Sequence, residues 1–192
     1  MTAAPQKRKP KIPKKITPDY LRNSGLYYLQ RFAASTHQFR KVMRMKISRS
    51  IRHHGTPELE QAHSWLEDLI QEFEEIGYLN DEAYLTASVR SLRLSRGLSQ
   101  RMILMKLGQK GFSENEVIGA LNDLMEDGEA PSQSELHAAL RFAERKKLGP
   151  YHPDPPRKTP EQQLASLARA GFSYDICRKV FESGEQDLMD RL

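Results

Sequence analysis

The chain has 192 residues, 38% hydrophobic and 29% charged, with a net charge of +5. That balance is polar for a globular protein and supplies several small cores rather than one thick one. A single cysteine, Cys177, excludes an intramolecular disulfide and fits a reducing compartment.

Positive charge is concentrated at the front. Residues 1–56 hold fourteen Lys or Arg against one acid, Asp19, while residues 57–192 hold sixteen against twenty-four. A basic front on an acidic body suggests a polyanion at one end and a different partner along the rest, although basic tails also serve solubility alone. The basic N-terminus lacks the apolar stretch of a secretory signal. No apolar run approaches the ~18–20 residues of a membrane span, so a soluble, cytoplasmic protein is expected.

Residues 1–16 mix Pro and Lys without periodicity and are expected to form a disordered basic arm. Helix signals then recur to the end. Thr17-Pro18, Thr56-Pro57 and Thr159-Pro160 each offer an N-cap hydroxyl before a first-turn proline. Gly77, Gly97, Gly111, Gly128, Gly149 and Gly171 each follow a periodic segment as a helix stop. Helices are predicted over 18–34, 36–54, 57–76, 81–96, 99–110, 114–127, 133–147, 160–170 and 174–183. Phe39, Met43, Ile47 and Ile51 give the second helix a core stripe. Leu59, Ala62, Leu66, Leu69, Ile70, Phe73 and Ile76 do the same for the third. No alternating apolar pattern between hairpin turns argues for a sheet.

Self-comparison at an offset of sixty residues aligns two segments. Leu104 matches Leu164, Leu107 matches Leu167, and Gly111-Phe112-Ser113 matches Gly171-Phe172-Ser173. Val117 then matches Cys177, and Leu121 matches Phe181. In each copy the glycine should close one helix in the left-handed region and the serine should cap the next. Ser113 with Glu116 fits a capping box, and Phe112 against Val117 a hydrophobic staple. One further helix precedes each pair, and the first three helices repeat the order. The expected architecture is all-α: an elongated array of three tandem three-helix repeats over 17–78, 79–130 and 131–192, the last including a C-terminal tail, behind the arm at 1–16.

No enzyme is expected. His53 and His54 are adjacent, should diverge on a helix, and no Cys or acid is spaced with His63 to complete a metal set. Cys177, at staple spacing, reads as a small buried residue rather than a nucleophile. No phosphate-cradling GxxxxGK[ST] sequence is present, and no cofactor is implied. The candidates for binding are basic groups. Arg40, Lys41, Arg44, Lys46, Arg49 and Arg52 span the second helix without an acid, a repulsion that an anionic partner would relieve. Arg90, Arg93, Arg96, Arg101, Lys106 and Lys110 run through the central repeat, and Arg141, Arg145, Lys146 and Lys147 end the seventh helix. A solvated helix face is the simpler account of each group.

The stretch Gly77-Tyr78-Leu79-Asn80-Asp81-Glu82 leads into Tyr84, Ala87, Val89 and Arg90. Arg96-Gly97-Leu98-Ser99, Ile103, Leu107 and Lys110-Gly111-Phe112 follow it. With Ala170-Gly171-Phe172-Ser173 in the last repeat, these residues resemble the RecX family of bacterial recombination regulators over roughly residues 20–182. Arg31-Phe32-Ala33-Ala34-Ser35 stands where that family carries an Arg-Arg-Glu-like stretch before a serine. The resemblance implies a tandem three-helix-repeat protein lying in the groove of the RecA–single-stranded-DNA filament. It implies damping of RecA's ATP hydrolysis, co-protease action and strand exchange, mainly by opposing filament growth. A helix-turn-helix module that binds single-stranded or duplex DNA without sequence preference remains the alternative.

Overall fold

The computed structural model describes residues 12–125, 130–152 and 158–189, with the backbone alone from residue 183. Among the described residues every regular element is helical. The helices are α1 (Pro18–Leu29), α2 (Thr36–His54), α3 (Leu59–Glu75), α4 (Asp81–Arg90), α5 (Gln100–Gly108), α6 (Glu114–Asn122), α7 (Pro131–Lys146), α8 (Pro160–Arg169) and α9 (Tyr174–Met189). They fall into two compact units, Met1–Asn80 and Asp81–Leu192.

Local capping chemistry starts most of them. The hydroxyls of Thr17, Ser35, Ser99, Ser113 and Thr159 each accept from an N–H of the first turn, and Ser113–Glu116 closes the expected capping box. Thr56 is the exception. Helix α3 begins only at Leu59, behind Glu58, so the Thr56 hydroxyl lies too far upstream to cap it, and Thr56-Pro57 forms a cis-linked turn instead. At the other end of α7, Lys147 (φ 53°) takes the left-handed cap that Gly149 was expected to fill. Gly149 is left-handed too, two residues later. Gly128, and the expected repeat boundary after residue 130, adjoin or fall within positions 126–129, outside the described residues.

In the first unit Phe39, Met43 and Ile47 of α2 meet Ala62, Leu66, Ile70 and Phe73 of α3, with Leu21 of α1 buried among them. The stripe expected along α3 holds except at its ends, where Leu59 and Ile76 are exposed. The expected arm at 1–16 is corrected at its C-terminal end. Ile16 is fully buried in this core, and Ser50 Oγ accepts from the Ile16 N–H at 3.1 Å and donates to the Lys14 carbonyl at 2.8 Å. Residues 12–16 are thus laid along α2, and residues 1–11 lie outside the described residues.

In the second unit one apolar core is shared by α4–α6 and α7–α9. Val89, Ile103 and Val117 belong to the same cluster as Ala139, Leu167 and Val180. The sixty-residue correspondence is met in space. Leu107 and Leu167, Phe112 and Phe172, and Val117 and Cys177 are all buried, and Gly111 and Gly171 have φ of 97° and 90°. The turn phenylalanines meet different rings, Phe112 stacking on Tyr84 at 6.0 Å and Phe172 meeting Phe142 edge to face at 6.0 Å. A Cβ on Gly171 would collide with Ser99 Oγ, which donates 2.6 Å to the Ala170 carbonyl.

The predicted helix 81–96 is not α-helical throughout. After Arg90 the chain widens into a π-helical turn, Ser91–Ser95, closed by the Arg96 N–H to the Ser91 carbonyl at 3.1 Å. It ends at Gly97 (φ 59°), whose backbone lies so close to α7 that an added Cβ would sit 2.6 Å from the Ala138 carbonyl oxygen. That approach requires glycine.

Candidate nucleic-acid and partner interface

Helix α2 is built to show one face. Ser35 caps its start, Gly55 (φ 69°) closes its end, and Arg52, His53 and His54 sit in the last turn, where positive charge complements the helix dipole. Because Phe39, Met43 and Ile47 occupy the core at fourth positions, Lys41, Arg44, Ser48 and Arg52 recur at three- and four-residue steps on the outside. They line a shallow surface groove together with His37, Arg40, Met45 and Arg49.

The acid missing from α2 itself comes from its neighbour. Glu67 of α3 accepts a forked pair from Arg40, with Nη2 at 2.9 Å and Nε at 3.0 Å, and Arg44 Nη2 lies 3.4 Å away. The Arg40 hydrogen bond, followed by the charges of Arg40 and Arg44, holds the Glu67 carboxyl below its ordinary range against the opposing effect of burial. The repulsion expected along α2 is therefore relieved in part within the unit. Lys41, Arg49 and Arg52 remain exposed. The heptad spacing of Glu60, Glu67 and Glu74 was the available signal, since Glu74 likewise accepts from Thr36 at 3.0 Å across the same helix pair.

In the second unit the candidates divide. Arg93 is turned inward, which corrects its assignment to a contact surface: the residue lies in the π-turn and is only 6% exposed. There Nη1 donates to Glu135 at 2.6 Å and to the Leu98 carbonyl at 3.2 Å, while Nη2 donates to Ser134 at 3.0 Å. Glu135, missed in the sequence, also accepts from the Gln100 N–H at 3.2 Å, so one carboxylate holds Arg93 and caps α5. Arg90, Arg96, Arg101 and Lys106 are exposed, and Lys110 is half-buried.

Two groups that are remote in sequence come together at the Gly97 turn. Arg145 Nη2 donates 2.9 Å to the Arg96 carbonyl while its guanidinium lies 5.5 Å from the Phe142 ring centroid. The Arg141 Cβ lies 3.1 Å from the position a Gly97 Cβ would take. Arg96, Arg141 and Arg145 are thus three exposed arginines that adjoin the same Gly97 turn.

His53 and His54 do not diverge as expected: their rings meet edge to face at 4.7 Å, and His54 Nε2 lies 2.7 Å from the Pro13 carbonyl. Among the described residues no three His, Cys, Asp or Glu side chains are grouped to hold a metal, and no helix is long and apolar enough to cross a membrane. Burial pushes the Cys177 thiol upward, away from the thiolate form a nucleophile needs.

No protein-family model matches the chain. It is 40% identical over 180 residues to regulatory protein RecX of Myxococcus xanthus, covering 93% of this chain and 92% of that one. It is 29% identical over 174 residues to regulatory protein RecX of Agrobacterium fabrum, covering 90% and 88%. The crystal structure of RecX from Lactobacillus salivarius aligns with a TM-score of 0.54 at 19% identity, over 88% of this chain and 97% of that one. A relative 40% identical across nearly the whole length, joined to the same helical fold, places the chain in the RecX family of regulatory proteins.

Proposed function

We propose that this protein binds the RecA–single-stranded-DNA filament and opposes its growth, lowering its ATP hydrolysis, co-protease action and strand exchange, as a cytoplasmic regulator of recombinational repair and the SOS response. The observation that carries the reading is the exposed stripe Lys41, Arg44, Arg49 and Arg52 on α2, suited to a row of phosphates. The second unit adds Arg96, Arg141 and Arg145 beside the Gly97 turn, with Arg90, Arg101, Lys106 and Lys110 elsewhere on the same unit. Arginine there suits forked contacts to acidic protein surface or phosphate. Family membership supports a regulatory role in preference to catalysis.

The stripe on one helix equally favours a second reading, non-specific DNA binding without RecA. Two measurements decide. RecA ATPase on single-stranded DNA should fall when the protein is added. RecA filaments should also capture the protein in co-sedimentation beyond what bare single-stranded DNA captures at moderate salt. Unchanged ATPase together with equal capture would leave only the second reading.

A further inference from the structure

On the other side of α2 from the Glu67 pair lies a second groove, bounded by the 12–14 segment, α1 and α2. Its walls carry rings: Tyr20, Tyr27, Tyr28 and Phe32. Tyr27 and Phe32 are 56% and 58% exposed. Phe32 leans on Tyr28 at 5.4 Å, and Tyr28 rests on the core residue Phe39 at 6.3 Å, so the outer ring stands on a fixed aromatic base.

Cations are threaded between the rings. The Arg31 guanidinium sits 4.0 Å over Tyr27, and the ammonium groups of Lys46 and Lys14 lie 5.2 and 5.7 Å from the Tyr20 centroid. Arg49 joins them on the groove wall, and the lining includes no carboxylate. More than half of Tyr27 and of Phe32 stays accessible among these cations, which fits a ligand that is anionic along its length and presents flat, apolar faces. Single-stranded DNA has that chemistry, because its phosphates are accessible and its unpaired bases are free to stack. Duplex DNA does not, since its base faces are already stacked on one another.

We propose that this groove is a base-stacking site for single-stranded DNA, in which Tyr27 and Phe32 receive successive unpaired bases and Arg31, Lys46 and Arg49 hold the adjoining phosphates. Met45 and Arg49 line both this groove and the outer cationic stripe. One strand therefore runs its backbone over the ridge of α2 and turns its bases inward. The site rests on the reading that α2 meets nucleic acid, and adds to it a discrimination for bases that phosphate contacts lack.

The test compares the full chain with Tyr27→Ala/Phe32→Ala, using fluorescence anisotropy with a labelled thymidine oligonucleotide and an abasic oligonucleotide of equal length. The wild-type protein should bind the thymidine strand about tenfold tighter, the scale of base–aromatic stacking. The double variant should lose that preference while keeping its melting temperature, its abasic affinity and its salt slope. Phe32→Trp should retain the preference, with tryptophan fluorescence quenched by the thymidine strand and not by the abasic one. Equal, tight binding of both strands by the wild-type protein overturns the stacking site and leaves the phosphate stripe standing. Binding of neither overturns both. Should the double variant keep the base preference but lose a self-association that the wild-type protein shows, the groove belongs to a second copy and the proposal fails.

Discussion

Arg93 and Glu135, forty-two positions apart, meet at 2.6 Å with side-chain exposures of 7% and 20%. The pair ties the π-turn to the first turns of α7, and Glu135 then reaches the N-terminus of α5. Charges this sheltered are stable only together, because a lone buried ion keeps its desolvation cost and loses its compensation. Glu135→Ala should therefore destabilise the second unit by about 3 kcal/mol, within the usual range for breaking a buried pair. Chemical denaturation followed by far-ultraviolet circular dichroism checks this. A change under about 1 kcal/mol would mean that the pair is solvated as a surface bridge is.

Gly97 is the tighter steric test. Alanine there must accept a positive φ and force its Cβ against the Ala138 carbonyl and the Phe142 N–H, both backbone atoms that cannot swing aside. The destabilisation should reach about 2–4 kcal/mol, combining left-handed strain with displacement of α7. Gly77→Ala is the control, because its φ is 78° but nothing lies within 4 Å of the added carbon, so strain alone should cost about 1 kcal/mol. A smaller effect at Gly97 than at Gly77 would contradict the packing described.

Glu67 competes with any anion for Arg40 and Arg44. Glu67→Gln removes that competitor and should tighten single-stranded DNA binding several-fold while steepening its salt dependence. The lowered pKa of Glu67 sets the sign in acid. A depressed carboxylate contributes stability above its unfolded pKa and loses it as pH falls through the folded value. Wild-type stability should decline, and DNA affinity rise, as pH drops through that region. The Gln variant should show neither change at this position. Titrations at matched ionic strength separate the two proteins.

The α2 stripe carries its own prediction. Replacing Lys41, Arg44, Arg49 and Arg52 by glutamine should lower the logarithmic salt slope for single-stranded DNA by about 0.7 for each phosphate that is no longer neutralised. All four side chains are outside the core, so the melting temperature should hold. An unchanged slope would assign the positive front to solubility alone.

Features encoded within a few residues were legible in the sequence. Ser113 and Glu116, or Gly171, Phe172 and Ser173, specify a cap and a turn by chemistry that acts over one helical turn, and both turns formed as expected. Arg93 was not legible, because the extra residue of a π-turn shifts the phase that α-helical spacing assumes, and its partner lies in another helix. The same holds for Ile16. Its surroundings in sequence are mostly Lys and Pro, while the apolar core that buries it and Ser50, which accepts from its N–H thirty-four positions away, belong to other elements. Thr56 misled for a different reason: the Thr-Pro pair is a capping signal only if the helix starts at the proline, and α3 starts two residues later.

The anchoring of Ile16 to Ser50 also decides where the leading peptide is moored. Residues 12–16 run beside α2, and His54 meets the Pro13 carbonyl at the helix's last turn. Lys14, whose carbonyl accepts from Ser50, is consequently held against α2, with its ammonium 5.7 Å from the Tyr20 ring centroid. A charge moored in this way is already ordered before any strand arrives, so its contact with a phosphate carries a smaller ordering cost. Cutting the Ser50 mooring, as in Ser50→Val, would free Lys14 from α2 without removing its charge.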